Sequence, residues 1–365
     1  MATRVLASDA LCAPGTPAPG WLTLEHDVIG EVGHGPPPRG ATDVGVAVLA
    51  PAFVDLHVNG VDDVDLATAD AAGWQRVARQ LARHGVAAYL ATFVSGPLDA
   101  YDDRLAGLEA ARHATGPGEA APLGAHLEGP FLGGAPGVHP VDQLRPVDLP
   151  WLEATLAAHP DVVRMVTLAP EADPGLAAVR RLAHHGVLVA LGHSQASDGD
   201  ARDAAEAGAR VVTHVFNGMG PLHHRAPGLA GAALDDPRLT PTLIADLVHV
   251  APTVVRIVLA AKREVAIVSD ATAVGSELDT SAGAARLADG RLAGATVLLD
   301  GALQNLLRIG IPIERAITVT STVPAALLGR SDRGRLVAGA RADIVALDAT
   351  TGALRAVWIG GEPAG

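Results

Sequence analysis

Short apolar runs alternate with amphipathic stretches through the middle of the chain. Runs of this kind, without a polar face, are typical of strands buried on both faces of a parallel sheet. The intervening segments, such as 98–114 and 175–186, have the apolar spacing of crossover helices. Eight such runs occur: AFVDLHV (52–58), VAAYLATF (86–93), LGAHLEG (123–129), VRMVTLAP (163–170), VLVALGH (187–193), VVTHVF (211–216), TLIAD (242–246) and VAIVSD (265–270). The pattern predicts an α/β fold, a (β/α)₈ TIM-type barrel.

The two ends of the chain have a different pattern. The strand-like pieces WLTLEHDVIGEV (21–32) and VGVAVLA (44–50) stand between Pro- and Gly-rich turns, and 334–361 alternates apolar residues with turn signals. We therefore expect residues 1–50 and 334–365 to form one small β-sandwich domain. The barrel is expected to occupy residues 51–333.

Composition narrows the classes of function. The 365 residues carry a formal net charge of −13, which argues against a nucleic-acid partner because phosphate backbones require a basic face. Cys12 is the single cysteine, so an internal disulfide is excluded and a cysteine-based metal site is implausible. No apolar run is long enough to cross a membrane, and the N-terminus is a poor signal peptide. We expect a cytoplasmic protein without a membrane partner.

Polar residues stand where the predicted barrel strands end. In a TIM-type barrel the carboxyl ends of all strands meet at one mouth, where active sites are built. Side chains that are far apart in sequence should therefore form one ring. These residues are His57, Glu128, His193, His214, Asp246 and Asp270.

Glu128, His193 and His214 are the residue types that form one kind of catalytic metal site. Two histidines and one glutamate with an open position form a known zinc arrangement. Each residue alone is also compatible with an ordinary buried or salt-bridged role, and only the combination is specific. Asp270 is predicted to accept and return a proton beside the metal, although an aspartate there could also cap a helix.

The first strand ends in Asp55-Leu56-His57-Val58-Asn59, which places residues 55, 57 and 59 on one face. A second histidine at position 59 would suit a two-metal site. Asn59 leaves His57 as an auxiliary or second-metal ligand, or as a residue of the barrel mouth.

A basic loop inside an acidic protein suggests an anionic substrate. His223, His224 and Arg225 follow the sixth strand, and the planar guanidinium of Arg225 suits a carboxylate or phosphate. His139 and His249 follow the third and seventh strands and could contact the same molecule. No P-loop and no GxSxG nucleophile elbow occur.

These motifs resemble the N-acetylglucosamine-6-phosphate deacetylases of the amidohydrolase superfamily. The resemblance spans residues 51 to about 307 in the family's order. HLEGPF and THxFNxMxPLHHRxPG are its most specific parts. The matching stretches are PAFVDLHVNG, HLEGPFL, LGHS, THVFNGMGPLHHRAPG, VSDAT and LAGATVLLDGALQNLL.

The resemblance implies that Glu128, His193 and His214 bind one divalent metal per subunit. Zn²⁺ is expected, although Fe²⁺, Co²⁺ and Mn²⁺ also accept these ligands. It implies that Asp270 serves as general base and then acid, and that Arg225 reaches the neighbouring subunit's site in a homodimer. The residues implied to contact sugar or phosphate are His139, Asn217, Gly218, Arg225, His249, Leu292, Ala293 and Gly294. Asn59 favours a single metal.

The expected reaction is hydrolysis of N-acetylglucosamine 6-phosphate to glucosamine 6-phosphate and acetate. Leu247 stands where the family usually has glycine. The larger side chain is expected to add bulk near the substrate and to affect which acyl-sugar the site accepts. Two rival functions remain open. One is another amidohydrolase acting on an N-acyl-amino acid or a cyclic amide, and the other is a non-catalytic sugar-phosphate sensor.

Overall fold

The computed structural model describes residues 4–12, 18–45, 47–275, 278–280 and 284–364. Its strands are β1 (Arg4–Leu11), β2 (Ala18–Glu25), β3 (Val28–His34), β4 (Thr42–Asp43), β5 (Ala47–Pro51), β6 (Phe53–Val58), β7 (Gly60–Val61), β8 (Val64–Asp65), β9 (Val86–Val94), β10 (Ala121–Glu128), β11 (Val163–Leu168), β12 (Leu188–Leu191), β13 (Val211–Val212), β14 (Thr240–Ile244), β15 (Ala266–Val268), β16 (Ala284–Arg286), β17 (Leu292–Ala295), β18 (Ile344–Asp348), β19 (Leu354–Ile359) and β20 (Glu362–Pro363).

The α-helices are α1 (Ala71–Arg83), α2 (Ala100–Ala114), α3 (Leu149–Ala158), α4 (Ala177–His184), α5 (Asp198–Ala207), α6 (Gly228–Asp235), α7 (Pro252–Ala261), α8 (Leu299–Arg308), α9 (Ile313–Ile317) and α10 (Val323–Leu327). Among the described residues no helix is both long and apolar enough to span a membrane.

Eight parallel strands form the barrel in the order β6, β9, β10, β11, β12, β13, β14 and β15. Each of the eight predicted apolar runs overlaps one of these strands, which confirms the TIM-type barrel. The first and last strands approach each other through a parallel bridge between Val58 and Ala271 and a hydrogen bond from Asp270 N to His57 O (3.0 Å). Because strands such as β6 and β14 are buried along their whole length, they carry apolar residues on both faces.

Several barrel strands end earlier than their apolar runs suggest, and three of these precede predicted site residues. β12 ends at Leu191, β13 at Val212 and β15 at Val268. The predicted site residues His193, His214 and Asp270 therefore lie in the first turn after each strand. This placement puts their side chains at the barrel mouth while the strands hold their backbone.

Both ends of the chain contribute to a second sheet, as the sequence predicts. Its strand order is β20-β19-β18-β5-β1-β2-β3, with β4 beside β1. β18 pairs antiparallel with β5, which directly precedes the first barrel strand. The piece WLTLEHDVIGEV is not one strand, because residues 26–27 form a turn between β2 and β3, with His26 at φ 58°. Leu22, Leu49 and Ile344 pack in a core of this sheet's own.

Candidate active site and metal centre

A cavity of about 650 Å³ opens at the carboxyl ends of the barrel strands. Its volume lies within the range typical of small-molecule sites. Every predicted metal, catalytic or substrate residue lines it except Arg225 and the auxiliary residue His57. The predicted residues that line it are Glu128, His139, His193, His214, Asn217, Gly218, His249, Asp270, Leu292, Ala293 and Gly294.

Glu128 is the centre of the site. Its side chain is 4% exposed, and histidine nitrogens approach it on both carboxylate oxygens. Oε1 lies 3.1 Å from His193 Nε2 and 2.9 Å from His214 Nε2. Oε2 lies 3.3 Å from His57 Nε2 and 3.5 Å from His139 Nε2. The fold thus gathers residues from β6, β10 and the loops after β10, β12 and β13 around one buried carboxylate.

The charges of these groups depend on one another. Burial alone would raise the pKa of Glu128, but His57 and the hydrogen bonds from His139, His193 and His214 hold it well below its ordinary range. Burial disfavours the charged form of His57, yet the neighbouring carboxylates of Glu128 and Asp270 raise its pKa to about 9. A buried carboxylate of this kind requires cationic partners.

Hydrogen bonds on the far ring nitrogens separate the roles of two histidines. His193 Nδ1 lies 3.0 Å from Ala135 O, a carbonyl that can only accept, so Nδ1 carries a proton and, in the neutral ring, the Nε2 lone pair faces Glu128. His139 Nδ1 instead accepts from the Ser95 amide (3.3 Å) and lies 2.9 Å from Ser95 Oγ. Its Nε2 therefore carries the proton. In the neutral rings, His193 Nε2 is therefore free to accept a cation, whereas His139 Nε2 is a hydrogen-bond donor.

The donor set fits a divalent metal. Potential ligand atoms of Glu128, His139 and His193 lie within 4.8 Å of one another. His214 lies outside that grouping but reaches the same Glu128 oxygen as His193, and its Nδ1 has no hydrogen-bond partner among the described residues. His193 Nε2 and Glu128 Oε1 are 3.1 Å apart, so either a proton on Nε2 or, in the neutral ring, a bound cation must lie between the two atoms.

His57 lies on the floor of the site beside the proposed proton-transfer group. Its Nε2 is 3.1 Å from Asp270 Oδ1 but makes a hydrogen bond to neither neighbouring carboxylate, and its Nδ1 is also buried without a partner. Asn59 Nδ2 donates to the same Asp270 oxygen at 2.9 Å. The expected shared face of residues 57 and 59 is confirmed, and its effect is to hold Asp270 Oδ1 from two sides.

Three residues of the site adopt left-handed backbone conformations. His193, His214 and Asp270 have φ values of 48°, 29° and 51°. Each such conformation costs a non-glycine residue roughly 1–2 kcal/mol, and strain of this kind is concentrated at functional sites. The side chains of His193 and His214 contact Glu128, and the side chain of Asp270 contacts His57 and Asn59.

Glycines in the predicted substrate turns allow close backbone approach. Gly218 has φ 57°, and a Cβ there would lie 2.6 Å from His193 Nδ1. Gly294 has φ 93°, and a Cβ there would lie 2.9 Å from Asp270 O. Both positions therefore require glycine for conformation and for space. The backbone of Gly218 thus lies directly against His193, a candidate metal ligand. The backbone of Gly294 lies directly against Asp270, the candidate general base.

Asp246 fixes the orientation of His249. Its Oδ2 lies 2.7 Å from His249 Nδ1, and its Oδ1 accepts from the amides of Val248 and His249, both at 2.9 Å. Burial raises the pKa of Asp246, but the contact with His249 and these amides bring it below its ordinary value. His249 Nε2 remains directed at the cavity.

Two predicted positions lie elsewhere. Arg225 is exposed on the loop after β13, and it does not line the cavity of its own chain in the part that the structure describes. Leu247 has φ 67°, but its side chain packs against the main core rather than lining the cavity. The effect of Leu247 on the choice of acyl-sugar stays a prediction.

Sequence reasoning missed residues that position or surround the site. Ser95 orients His139 from the end of β9, and no motif marks it. Asp65 and Arg291 line the cavity. Arg291 directly precedes the predicted Leu292–Gly294 turn, which is a signal that could have been used.

Comparisons with known proteins agree with this geometry. Residues 48–364 match the model of the amidohydrolase family. The chain is 36% identical to an N-acetylgalactosamine-6-phosphate deacetylase of Escherichia coli O157:H7, with 90% of each covered. It is also 36% identical to the N-acetylglucosamine-6-phosphate deacetylase of Bos taurus, covering 88% of this chain and 84% of the relative.

Among solved structures, it is similar to a mutant N-acetyl-D-glucosamine-6-phosphate deacetylase from Mycobacterium smegmatis in complex with N-acetyl-D-glucosamine-6-phosphate. The TM-score is 0.93 at 32% identity, and all of both chains is covered. Family match, relatives and fold all point to the same group. The chain belongs to the amidohydrolase family, in its N-acetylglucosamine-6-phosphate deacetylase branch.

Proposed function

We propose that the protein hydrolyses the acetamide of N-acetylglucosamine 6-phosphate, giving glucosamine 6-phosphate and acetate. The observation that carries the proposal is the cluster of Glu128, His193 and His214 beside Asp270, on the floor of a cavity whose size suits a phosphosugar. The similar proteins from Bos taurus and Mycobacterium smegmatis are named for this activity.

Glu128, His193 and His214 would hold one divalent metal, for which Zn²⁺ fits the two imidazoles and one carboxylate. When bound, the metal would make a water molecule nucleophilic near neutral pH and polarise the amide carbonyl. His139 is a weaker ligand candidate because its Nε2 carries a proton. His57 is proposed as an auxiliary group of the floor.

Asp270 would act on both halves of the reaction. Its Oδ1 is held by Asn59 (2.9 Å) and faces His57 (3.1 Å), which leaves Oδ2 to take the proton of the attacking water. The same carboxyl would then protonate the leaving amine as the C–N bond breaks. His139 Nε2–H would donate to the oxygen that becomes negative as the carbonyl is attacked.

The remaining predicted residues would bind the sugar and its phosphate. Asn217 and Gly218 form one wall of the cavity, His249 a second, and the Leu292–Gly294 turn a third. His249 is held by Asp246, so it presents its Nε2 in one orientation. An anionic group would find imidazole and amide donors here.

The C4 epimer is a second candidate substrate, because one relative at 36% identity is named for N-acetylgalactosamine 6-phosphate. Acetate release measured side by side on the two epimers decides between them. We expect the gluco epimer to have the higher kcat/KM. A tenfold preference for the galacto epimer would reassign the substrate and leave the reaction class intact.

The phosphate should be required for efficient turnover. We expect kcat/KM to be at least ~10²-fold higher for N-acetylglucosamine 6-phosphate than for N-acetylglucosamine, since each lost charge-assisted hydrogen bond costs about 1.5–3 kcal/mol. Equal rates on the two sugars would favour the rival amidohydrolase on an unphosphorylated amide. Binding of the phosphosugar without acetate release would favour the sensor.

We also propose a homodimer in which Arg225 enters the neighbouring site. The support is its place on an exposed segment, residues 221–226, outside its own cavity, with Leu222 47% exposed beside it. A cavity rich in carboxylates gains from a guanidinium supplied by the partner when it binds phosphate.

Complementation between two inactive variants tests this arrangement. Arg225→Ala and Asp270→Asn are each expected to be nearly inactive, but co-expression gives mixed dimers in which one site has both Asp270 and the partner's Arg225. Recovery of roughly a quarter of wild-type activity is expected from random pairing of two chains in C₂ dimers. No recovery in purified mixed dimers would place Arg225 outside the neighbouring site.

A further inference from the structure

Arg291 is the only lysine or arginine among the described residues that line the cavity. It stands at the end of the turn of the β16–β17 hairpin, immediately before β17, which contains the predicted substrate residues Leu292–Gly294. Its Nε donates to Asp289 Oδ2 at 2.7 Å, within the hairpin. Its Nη1 crosses to the opposite wall and donates to Gly137 O at 2.6 Å. These two bonds are called here the Arg291 clasp.

The end of the hairpin at Ala295 is hydrogen-bonded to the backbone around Asp270, the candidate general base. Ala295 N donates to Asp270 O at 2.8 Å, and Thr272 N donates to Ala295 O at 3.1 Å. Residues Leu292–Gly294, which belong to β17, lie between this attachment and the clasp. This part of β17 is therefore held at one end by the segment that carries Asp270 and at the other end by Gly137.

The far side of the clasp is the segment 133–139, which supports two histidines of the site. Gly133 N donates to His193 O (2.9 Å), and Ala135 O faces His193 Nδ1 (3.0 Å). Gly137 lies against the His193 ring, where a Cβ would be 3.2 Å from Cε1. His139 ends the segment.

We propose that Arg291 is a positioning residue that closes the mouth of the cavity by tying the hairpin to the segment 133–139. The role rests on the proposed function, because it acts on the part of β17 and the histidine that would contact the sugar. A planar guanidinium can serve the hairpin and the opposite carbonyl at once. Asp289 and Gly137 occupy two of its five N–H donors, so Arg291 links two protein segments across the cavity.

The clasp predicts a specific kinetic signature. Arg291→Ala should raise KM about tenfold, which corresponds to ~1.4 kcal/mol, and should change kcat by less than about threefold. The reason is that the hairpin must be ordered when substrate binds, whereas Glu128, His193 and Asp270 stay held by their strands. Arg291→Lys should recover part of the loss, since an ammonium can reach Gly137 O but does not span both partners.

Arg286→Ala is the matched control. Arg286 lies on the same hairpin and donates from Nη1 to Gly290 O (2.9 Å), but within the described part of the chain its side chain makes no hydrogen bond to segment 133–139, and it does not line the cavity. It should keep the wild-type KM. The loss in Arg291→Ala should be equal, as a ratio, for the sugar with and without phosphate.

Hydrogen exchange provides a readout that needs no turnover. Peptides covering 133–140 should exchange faster in Arg291→Ala than in the wild type and in Arg286→Ala, with the melting temperature unchanged. If the wild type releases no acetate, the proposed function fails, while this measurement still decides the clasp. Unchanged exchange and KM in Arg291→Ala would overturn the proposal. A KM effect confined to the phosphorylated sugar would also overturn it, by making Arg291 an anion ligand.

Discussion

Replacing Asp270 with asparagine is expected to lower kcat by about 10²–10⁴-fold, the usual contribution of a positioned general base and acid. Asparagine has the same size and can still accept from Asn59, so the turn at φ 51° and the contact at 2.9 Å should survive. The amide cannot accept the proton of the attacking water or return it to the amine. KM for the phosphosugar should change little.

The measurement is steady-state acetate release, with metal content determined on the same preparation. Metal stoichiometry should equal that of the wild type, because the proposed ligands are Glu128, His193 and His214. A second variant, Asn59→Ala, should lower kcat by a smaller factor, since it removes only one of the two contacts to Oδ1. Full activity of metal-loaded Asp270→Asn would remove the proton-transfer role.

Removing the metal is expected to abolish acetate release and to lower the melting temperature. Lewis-acid polarisation and water activation are together worth several kcal/mol in the transition state, or ~10³-fold or more at 1.4 kcal/mol per tenfold. Without the cation, buried imidazoles and a carboxylate are left facing one another within 2.9–3.5 Å. Chelation followed by titration with Zn²⁺ should restore activity at one equivalent per subunit.

His214→Ala and His139→Ala separate the two assignments that the geometry allows. If His214 is a ligand, its removal should lower metal content and activity together. His139 donates its Nε2 proton in our account, so His139→Ala should keep the metal and lose kcat. The reverse result, metal loss in His139→Ala alone, would favour the grouping of Glu128, His139 and His193 over the one proposed here.

The sequence predicted the features that depend on residue type and on local spacing along the chain. Apolar runs that end in His, Glu or Asp predicted both the barrel and the ring, because parallel strands must end at one mouth. The shared face of His57 and Asn59 follows from strand alternation alone. Leu292, Ala293 and Gly294 were predicted only from the family resemblance, and they line the cavity.

Contacts between distant backbone atoms could not be predicted in this way. The Ser95 amide chooses the tautomer of His139 across 44 positions, and Gly137 O receives Arg291 across 154. Neither partner belongs to a motif, because a backbone amide or carbonyl is present at every residue. The left-handed turns at His193, His214 and Asp270 were also invisible, since local preference disfavours them and only the closed barrel imposes them.

The central claim is that Glu128, His193 and His214 hold a metal with which Asp270 deacetylates a phosphosugar. Its most direct test is acetate release from N-acetylglucosamine 6-phosphate, with metal content measured on the same sample, for the wild type and Glu128→Gln. We predict one metal per subunit and multiple turnovers in the wild type, and loss of both in Glu128→Gln. Full activity of a metal-free Glu128→Gln protein, or a metal-loaded wild type that releases no acetate, would contradict the account.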